Sequence, residues 1–165
     1  MSTPRLIIHV KEPSLELDLS LLAPKLGGKS AKLGGKSDPT GHAFIELVDA
    51  DGNSTFRGFY PTSDIDDATS AFSSVEGVVS PDDAGHSVTQ SISYDIGEGQ
   101  FNKMMAEIQN WEASPPKYNL FTNNCTTFVL KIMQAGGISP PRQLSVVDSP
   151  SSLSPAISRT KAWRG

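Results

Sequence analysis

Tyr118-Asn119-Leu120-Phe121-Thr122-Asn123-Asn124-Cys125-Thr126-Thr127-Phe128-Val129 is the stretch where a polar loop turns into an apolar helix, and it holds the only cysteine of the chain. Phe128, Val129, Ile132 and Met133 recur at the spacing of one helical face, and Gly136-Gly137 followed by Pro140 form a stop signal. Asn123 or Asn124 is then the N-cap. The sulfur of Cys125 falls in the first helical turn, where unpaired backbone N–H groups and the positive end of the helix dipole favour a thiolate. The same groups would receive a developing oxyanion. A lone cysteine is as readily a small buried hydrophobe, so the nucleophile reading needs a base.

His42 supplies one. Gly41-His42-Ala43-Phe44-Ile45-Glu46-Leu47-Val48 reads as a strand that opens on a histidine directly after a glycine. A neutral imidazole can deprotonate a thiol and later protonate a leaving amine or alcohol. Downstream, Ile45 to Val48 run out, Asp49-Ala50-Asp51-Gly52-Asn53 turn, and Thr55 to Tyr60 return, which brings Tyr60 near His42. Asp49, Asp51, Asn53 and Thr55 mimic the first ligands of a calcium loop. Ser54 stands where that loop needs its glycine and Tyr60 where it needs its glutamate, so the hairpin is the better reading.

Elsewhere Leu6 to Val10 reads as a first strand, and Ser14 to Leu22 alternates apolar and polar residues as a second; the two pair as a hairpin or ride on the main sheet. Val75 to Val79 and Ser87 to Ile96 give two more short strands, with His86 just after the intervening turn. Phe101, Met104, Met105, Ile108 and Trp111 form a helical stripe that Pro115-Pro116 stop, and the stripe reads as core. The near-duplicates Lys25-Leu26-Gly27-Gly28-Lys29-Ser30 and Lys32-Leu33-Gly34-Gly35-Lys36-Ser37 suggest a phosphate loop. That motif needs a glycine five residues before its second glycine, and Ala23 and Ser30 occupy those places. The segment at about 25–40 is expected to be a flexible loop, Thr62 to Ala71 an acidic connection, and the Ser/Pro-rich stretch from about 139 a surface tail anchored by Val146, Val147, Leu153 and Ile157.

With 165 residues, 37% of them hydrophobic, the chain is sized for a single catalytic domain spanning 1–165. The 14 Lys and Arg residues against 18 Asp and Glu give a net charge of −4 without a sustained basic patch, which argues against a nucleic-acid partner. One cysteine excludes an intrachain disulfide framework. The N-terminal run Arg5 to Val10 is too short for a signal peptide, and no segment approaches the ~20 apolar residues of a membrane span.

Papain-type chains place cysteine before histidine, whereas here His42 precedes Cys125 by 83 positions. Gly41-His42-Ala43-Phe44-Ile45, Gly58-Phe59-Tyr60-Pro61, the Tyr118 to Val129 stretch and Ala135-Gly136-Gly137-Ile138 together resemble the circularly permuted branch of the NlpC-type, papain-like superfamily. The resemblance covers roughly positions 40 to 140. It implies an α+β fold with an antiparallel sheet packed against helices and the nucleophile at a helix N-terminus. Cys125 becomes nucleophile, His42 base, and the Cys125 backbone N–H an oxyanion donor. The group that orients the imidazole stays open among Tyr60, Ser54, Thr55 and His86, and Asn124 caps the helix or lines the oxyanion hole.

Two relatives share these features: lecithin:retinol acyltransferase-like proteins, with an Asn-Cys pair followed by Phe-Val, and bacterial permuted amidases that include type VI secretion effectors. The amidase branch implies cleavage of an amide in the peptide stem of peptidoglycan, with no metal or organic cofactor. It also implies synthesis in a bacterial cytoplasm without a signal peptide, a secretion-machinery carrier, action in the target-cell periplasm and a cognate immunity protein. The alternatives on the same dyad are a thiol acyltransferase or lipid hydrolase and a protein-deconjugating peptidase. A non-catalytic binding module is the alternative of another class.

Overall fold

The computed structural model describes residues 2–11, 41–63, 73–81 and 88–140. The readings for 14–40, 64–71, His86 and the tail beyond 140 lie outside the described residues. Five strands form one antiparallel sheet: β1 (Arg5–Lys11), β2 (His42–Val48), β3 (Ser54–Pro61), β4 (Gly77–Ser80) and β5 (Gln90–Asp95), in the order β4-β3-β2-β1-β5. Two helices follow, α1 (Glu98–Ala113) and α2 (Cys125–Ala135). The first strand does ride on the main sheet, inserted between β2 and β5.

Asp49 closes the β2–β3 hairpin from inside. Its Oδ1 accepts the backbone N–H groups of Asp51 and Asn53 at 2.9 and 2.8 Å, and its Oδ2 accepts the Asn53 side-chain amide at 2.9 Å. These bonds, the Asn53 side chain foremost, hold the Asp49 carboxyl below its ordinary value. The carboxylate that imitated a calcium ligand is thus used by its own turn. Val75, expected inside a strand, instead makes an isolated bridge to Tyr118, with N–H···O distances of 2.9 and 2.7 Å, and β4 starts two residues later at Gly77. A Cβ on Gly77 would run into the Phe59 ring and the Pro116 carbonyl oxygen, so only glycine lets β4 pass at this point.

Strand alternation splits the sheet into two faces. Leu6, Ile8, Val10, Ala43, Ile45, Leu47, Phe59, Ile92 and Tyr94 face the helices and meet Met104, Ile108 and Trp111 of α1 and Phe128, Val129, Ile132 and Met133 of α2. The Trp111 ring stands edge-on to Phe59 at 5.1 Å and to Phe128 at 5.2 Å, the geometry aromatic quadrupoles favour. At about 1.5–3 kcal/mol for each fully buried large apolar side chain, this layer is the main favourable contribution to folding. Arg57, on the same face, pairs with Glu112 of α1.

The intervening residues point the other way. Phe44 and Val48 are buried, at 1% and 5% exposed, yet neither belongs to the helix-side cluster. They share their face with His9, His42, Glu46, Phe56, Tyr60 and Ser91, as the pairings His9↔Phe44, His9↔Ser91 and Phe44↔Gly58 require.

Candidate active site

Three asparagines build the loop that delivers Cys125. The Asn119 side-chain oxygen accepts the N–H groups of Phe121 and Thr122 at 3.0 and 3.1 Å, and Asn119 and Asn123 exchange two backbone hydrogen bonds. Asn123 donates through Nδ2 to the Lys117 carbonyl at 2.7 Å, and Asn124 through Nδ2 to that of Leu120 at 2.8 Å. A short polar turn is therefore pinned by side chains at each step before the helix starts.

Asn124 is the N-cap, settling the choice between it and Asn123. Its Oδ1 accepts the N–H groups of Thr126 and Thr127 at 2.9 and 3.1 Å, and its carbonyl accepts that of Phe128 at 3.1 Å. Thr127 returns the favour in the capping-box manner, its Oγ1 accepting the Asn124 N–H at 3.3 Å. The one first-turn donor left is the N–H of Cys125, which makes no hydrogen bond among the described residues. An unbonded N–H on the residue that carries the thiol is the arrangement an oxyanion donor needs. The Thr126 hydroxyl next to it is buried and also has no partner. Cys125 itself is 3% exposed and touches the helix-side core. At the other end, Gly137 adopts φ +68°, the left-handed residue that terminates the helix.

His42 follows Gly41, whose φ of +76° only glycine adopts at little cost. The imidazole is 4% exposed and stacks on the Tyr60 ring at 4.5 Å and, less closely, on Phe44 at 5.8 Å. The structure thus brings His42 and Tyr60 together and keeps Asn124 with Cys125. Cys125 makes no hydrogen bond to His42: α2 packs on the β2 face that carries Ala43, and His42 alternates to the other. Ser54 donates to Glu46 at 2.6 Å instead of approaching His42, and Thr55 pairs with Leu47 further along β2. His86 lies outside the described residues.

Sequence reasoning missed a second cluster. His9 lies between the rings of Phe44 (4.8 Å) and Phe56 (6.2 Å) and is hydrogen-bonded at both nitrogens, to Ser91 and Glu46. The available signal was a histidine at the outward parity of an otherwise apolar strand. Its partners come from β5 and β2, and no local spacing announces them. Among the described residues no group of three His, Cys, Asp or Glu could hold a metal ion, and no helix is long and apolar enough to cross a membrane. A groove of about 500 Å³ runs along the outer side of α2, lined by Thr127, Leu130, Lys131, Gln134, Ile138 and Pro140, away from both Cys125 and His42. Searches against protein-family models, curated proteins and solved structures found no match.

Proposed function

We propose that the protein is a cysteine hydrolase of the permuted papain-like type, cleaving an amide bond in the peptide stem of bacterial peptidoglycan. The observation that carries this reading is the start of α2: a thiol on the first helical residue beside its own unbonded N–H, held there by the Asn124 cap. In this scheme the Cys125 sulfur attacks the amide carbonyl carbon, and the Cys125 N–H receives the developing oxyanion. His42 takes the thiol proton and returns it to the leaving amine, which leaves a thioester. Water, deprotonated by His42, then hydrolyses the thioester and restores the thiol.

In its stack on Tyr60 and Phe44 the imidazole lies on the face of β2 away from α2 and makes no hydrogen bond to the sulfur, so proton transfer in this reading requires the start of β2 to rearrange when substrate binds. Catalytic hydrogen bonds are often long before substrate binds and tighten in the complex. Tyr60, through the ring stack, is the group that orients the imidazole in this reading. The peptidoglycan substrate, the role as an antibacterial type VI secretion effector acting in the periplasm, the carrier and the immunity protein all come from the sequence resemblance.

One observation favours the non-catalytic alternative, a binding module on a papain-like scaffold: Cys125 is buried and not bonded to His42. Digestion of purified Gram-negative peptidoglycan by wild type and Cys125→Ala, with muropeptides identified by mass spectrometry, decides between them. New amine and acid ends produced by the wild type alone support the amidase. Intact muropeptides with both proteins, and an iodoacetamide rate no faster than that of a free model thiol, support the binding module. Acylated lipid products, or a processed modifier protein, would instead place the same dyad in acyl transfer or deconjugation.

A further inference from the structure

Outside the Cys125 region the described residues contain a continuous hydrogen-bonded relay that has the parts of a serine nucleophile. Ser91 Oγ and His9 Nδ1 are 2.8 Å apart, His9 Nε2 and Glu46 Oε2 3.0 Å, and Ser54 Oγ donates to Glu46 Oε1 at 2.6 Å. Glu46 as a carboxylate only accepts, so its bond to His9 must be donated by Nε2–H. A neutral imidazole protonated on Nε2 has a bare lone pair on Nδ1, and the Ser91 hydroxyl must be the donor there. The carboxylate therefore fixes the tautomer in which His9 can take the serine proton, and the flanking Phe44 and Phe56 rings hold the imidazole plane.

The sheet register explains why these groups meet and what else is nearby. The Ile96 N–H bonds the Pro4 carbonyl, so positions 92 and 94 of β5 face β1 through hydrogen bonds, and Ser91 is in a non-hydrogen-bonded pair with His9. Side chains in such pairs approach most closely. The same parity sends the Ser91 backbone N–H to the outer edge of β5, the last strand of the sheet. An acyl oxygen held at Ser91 would find that donor on the nucleophile's own residue. His9 and Glu46 side chains are 14% and 15% exposed, so the relay is partly shielded but reached by solvent.

We propose that Ser91 is a second, thiol-independent nucleophile, activated by His9 and Glu46, and that it accepts acyl groups from small carboxylic esters. The Ser91 Oγ–H proton passes to His9 Nδ1 as Oγ bonds the ester carbonyl carbon. The tetrahedral alkoxide then collapses and breaks the ester C–O bond, and the departing alcohol takes the proton from Nδ1. Water repeats the sequence on acyl-Ser91, releasing the carboxylic acid and restoring the hydroxyl. His9 moves the proton, while Glu46 holds the tautomer and stabilises the imidazolium without becoming protonated.

The test is covalent labelling of the full chain with a fluorophosphonate and, separately, p-nitrophenyl acetate, with adducts located by peptide mass spectrometry. Ser93 is the internal reference, since it lies on the same face of β5 opposite Ile7 and has no imidazole. The expected result is an adduct on Ser91 and none on Ser93 in the wild type, formed about 10²-fold more slowly in a folded His9→Gln variant. Ser91 left unmodified, or labelled no faster than Ser93, would overturn the proposal without recourse to any variant. So would a His9→Gln rate equal to that of the wild type, which would mean that the network only ties strands together.

Discussion

The two faces of the sheet are cut from the same strands and do opposite work. On one, Ala43, Ile45, Leu47 and Phe59 lie against α1 and α2 in a layer of aliphatic and aromatic side chains that also holds Cys125, with the Arg57–Glu112 ion pair beside it. On the other, one residue along each strand, near-parallel rings run from Phe56 through His9 and Phe44 to His42 and Tyr60, with Glu46, Ser54 and Ser91 bonded beside them. Burial is nearly as complete at Phe44 and His42 as in the core, so exposure does not distinguish the faces. What does is chemistry: the helix side gathers mainly aliphatic and aromatic side chains, and the far side holds both described imidazoles. A period of two residues is enough to separate an apolar, helix-covered surface from one that gathers imidazole, carboxylate and hydroxyl groups within a single sheet.

The comparison breaks first at Cys125. In the proposed hydrolase Cys125→Ala removes the nucleophile, and amide cleavage should fall by about 10³-fold or more, read as release of new muropeptides. Equal cleavage by the variant would move the chemistry to the other face altogether. Next comes the core side. Phe128→Ala opens a hole against Phe59 and Trp111 and should cost about 3–5 kcal/mol in urea unfolding. It should leave the imidazole proton signals of His9 and His42 in place, whereas Phe44→Leu should shift both, because Phe44 is the ring between them. If Phe128→Ala moved those signals as much as Phe44→Leu does, the two faces would be coupled and the division drawn above too sharp.

Smaller effects sharpen the boundary. Asn124→Ala removes the acceptor of two first-turn N–H groups and should lower stability by about 1 kcal/mol, a loss that Asn124→Asp largely avoids because aspartate caps as well. Smallest is the pH dependence of the hairpin turn, at the other end of β2 from His42. Asp49 has a lowered folded-state pKa, so its contribution is present above its unfolded value near 3.8 and is lost as pH falls through the lowered folded value. The difference in thermal midpoint between wild type and Asp49→Ala should therefore be constant at neutral pH and shrink below pH 3.8; a difference that grows on acidification would contradict the assignment.

Much of this chain was legible locally. The Asn-rich entry to α2, its apolar stripe and its Gly137 stop are contiguous in sequence, and the caps and periodicity act over three or four residues. The α1 stripe from Phe101 to Trp111 and the Asp49 turn were equally readable, and pairing Ile45–Val48 with Thr55–Tyr60 across that turn placed Tyr60 beside His42. Strand limits were read less well: Val75 has the residue type of a strand, yet Tyr118, 43 positions away, claims its backbone groups.

What the amino-acid order determined by itself is every element whose signal is short-range: a cap, a stripe, a tight turn, a thiol at a helix start. Tertiary structure alone decided that β1 inserts between β2 and β5, that His42 turns away from the face α2 covers, and that His9 meets Glu46 and Ser91, the latter 82 positions distant. The physical reason is that register and strand order are chosen by the burial of whole faces at once. A one-residue slip would invert every side chain of a strand, and only the assembled sheet and helices together penalise it.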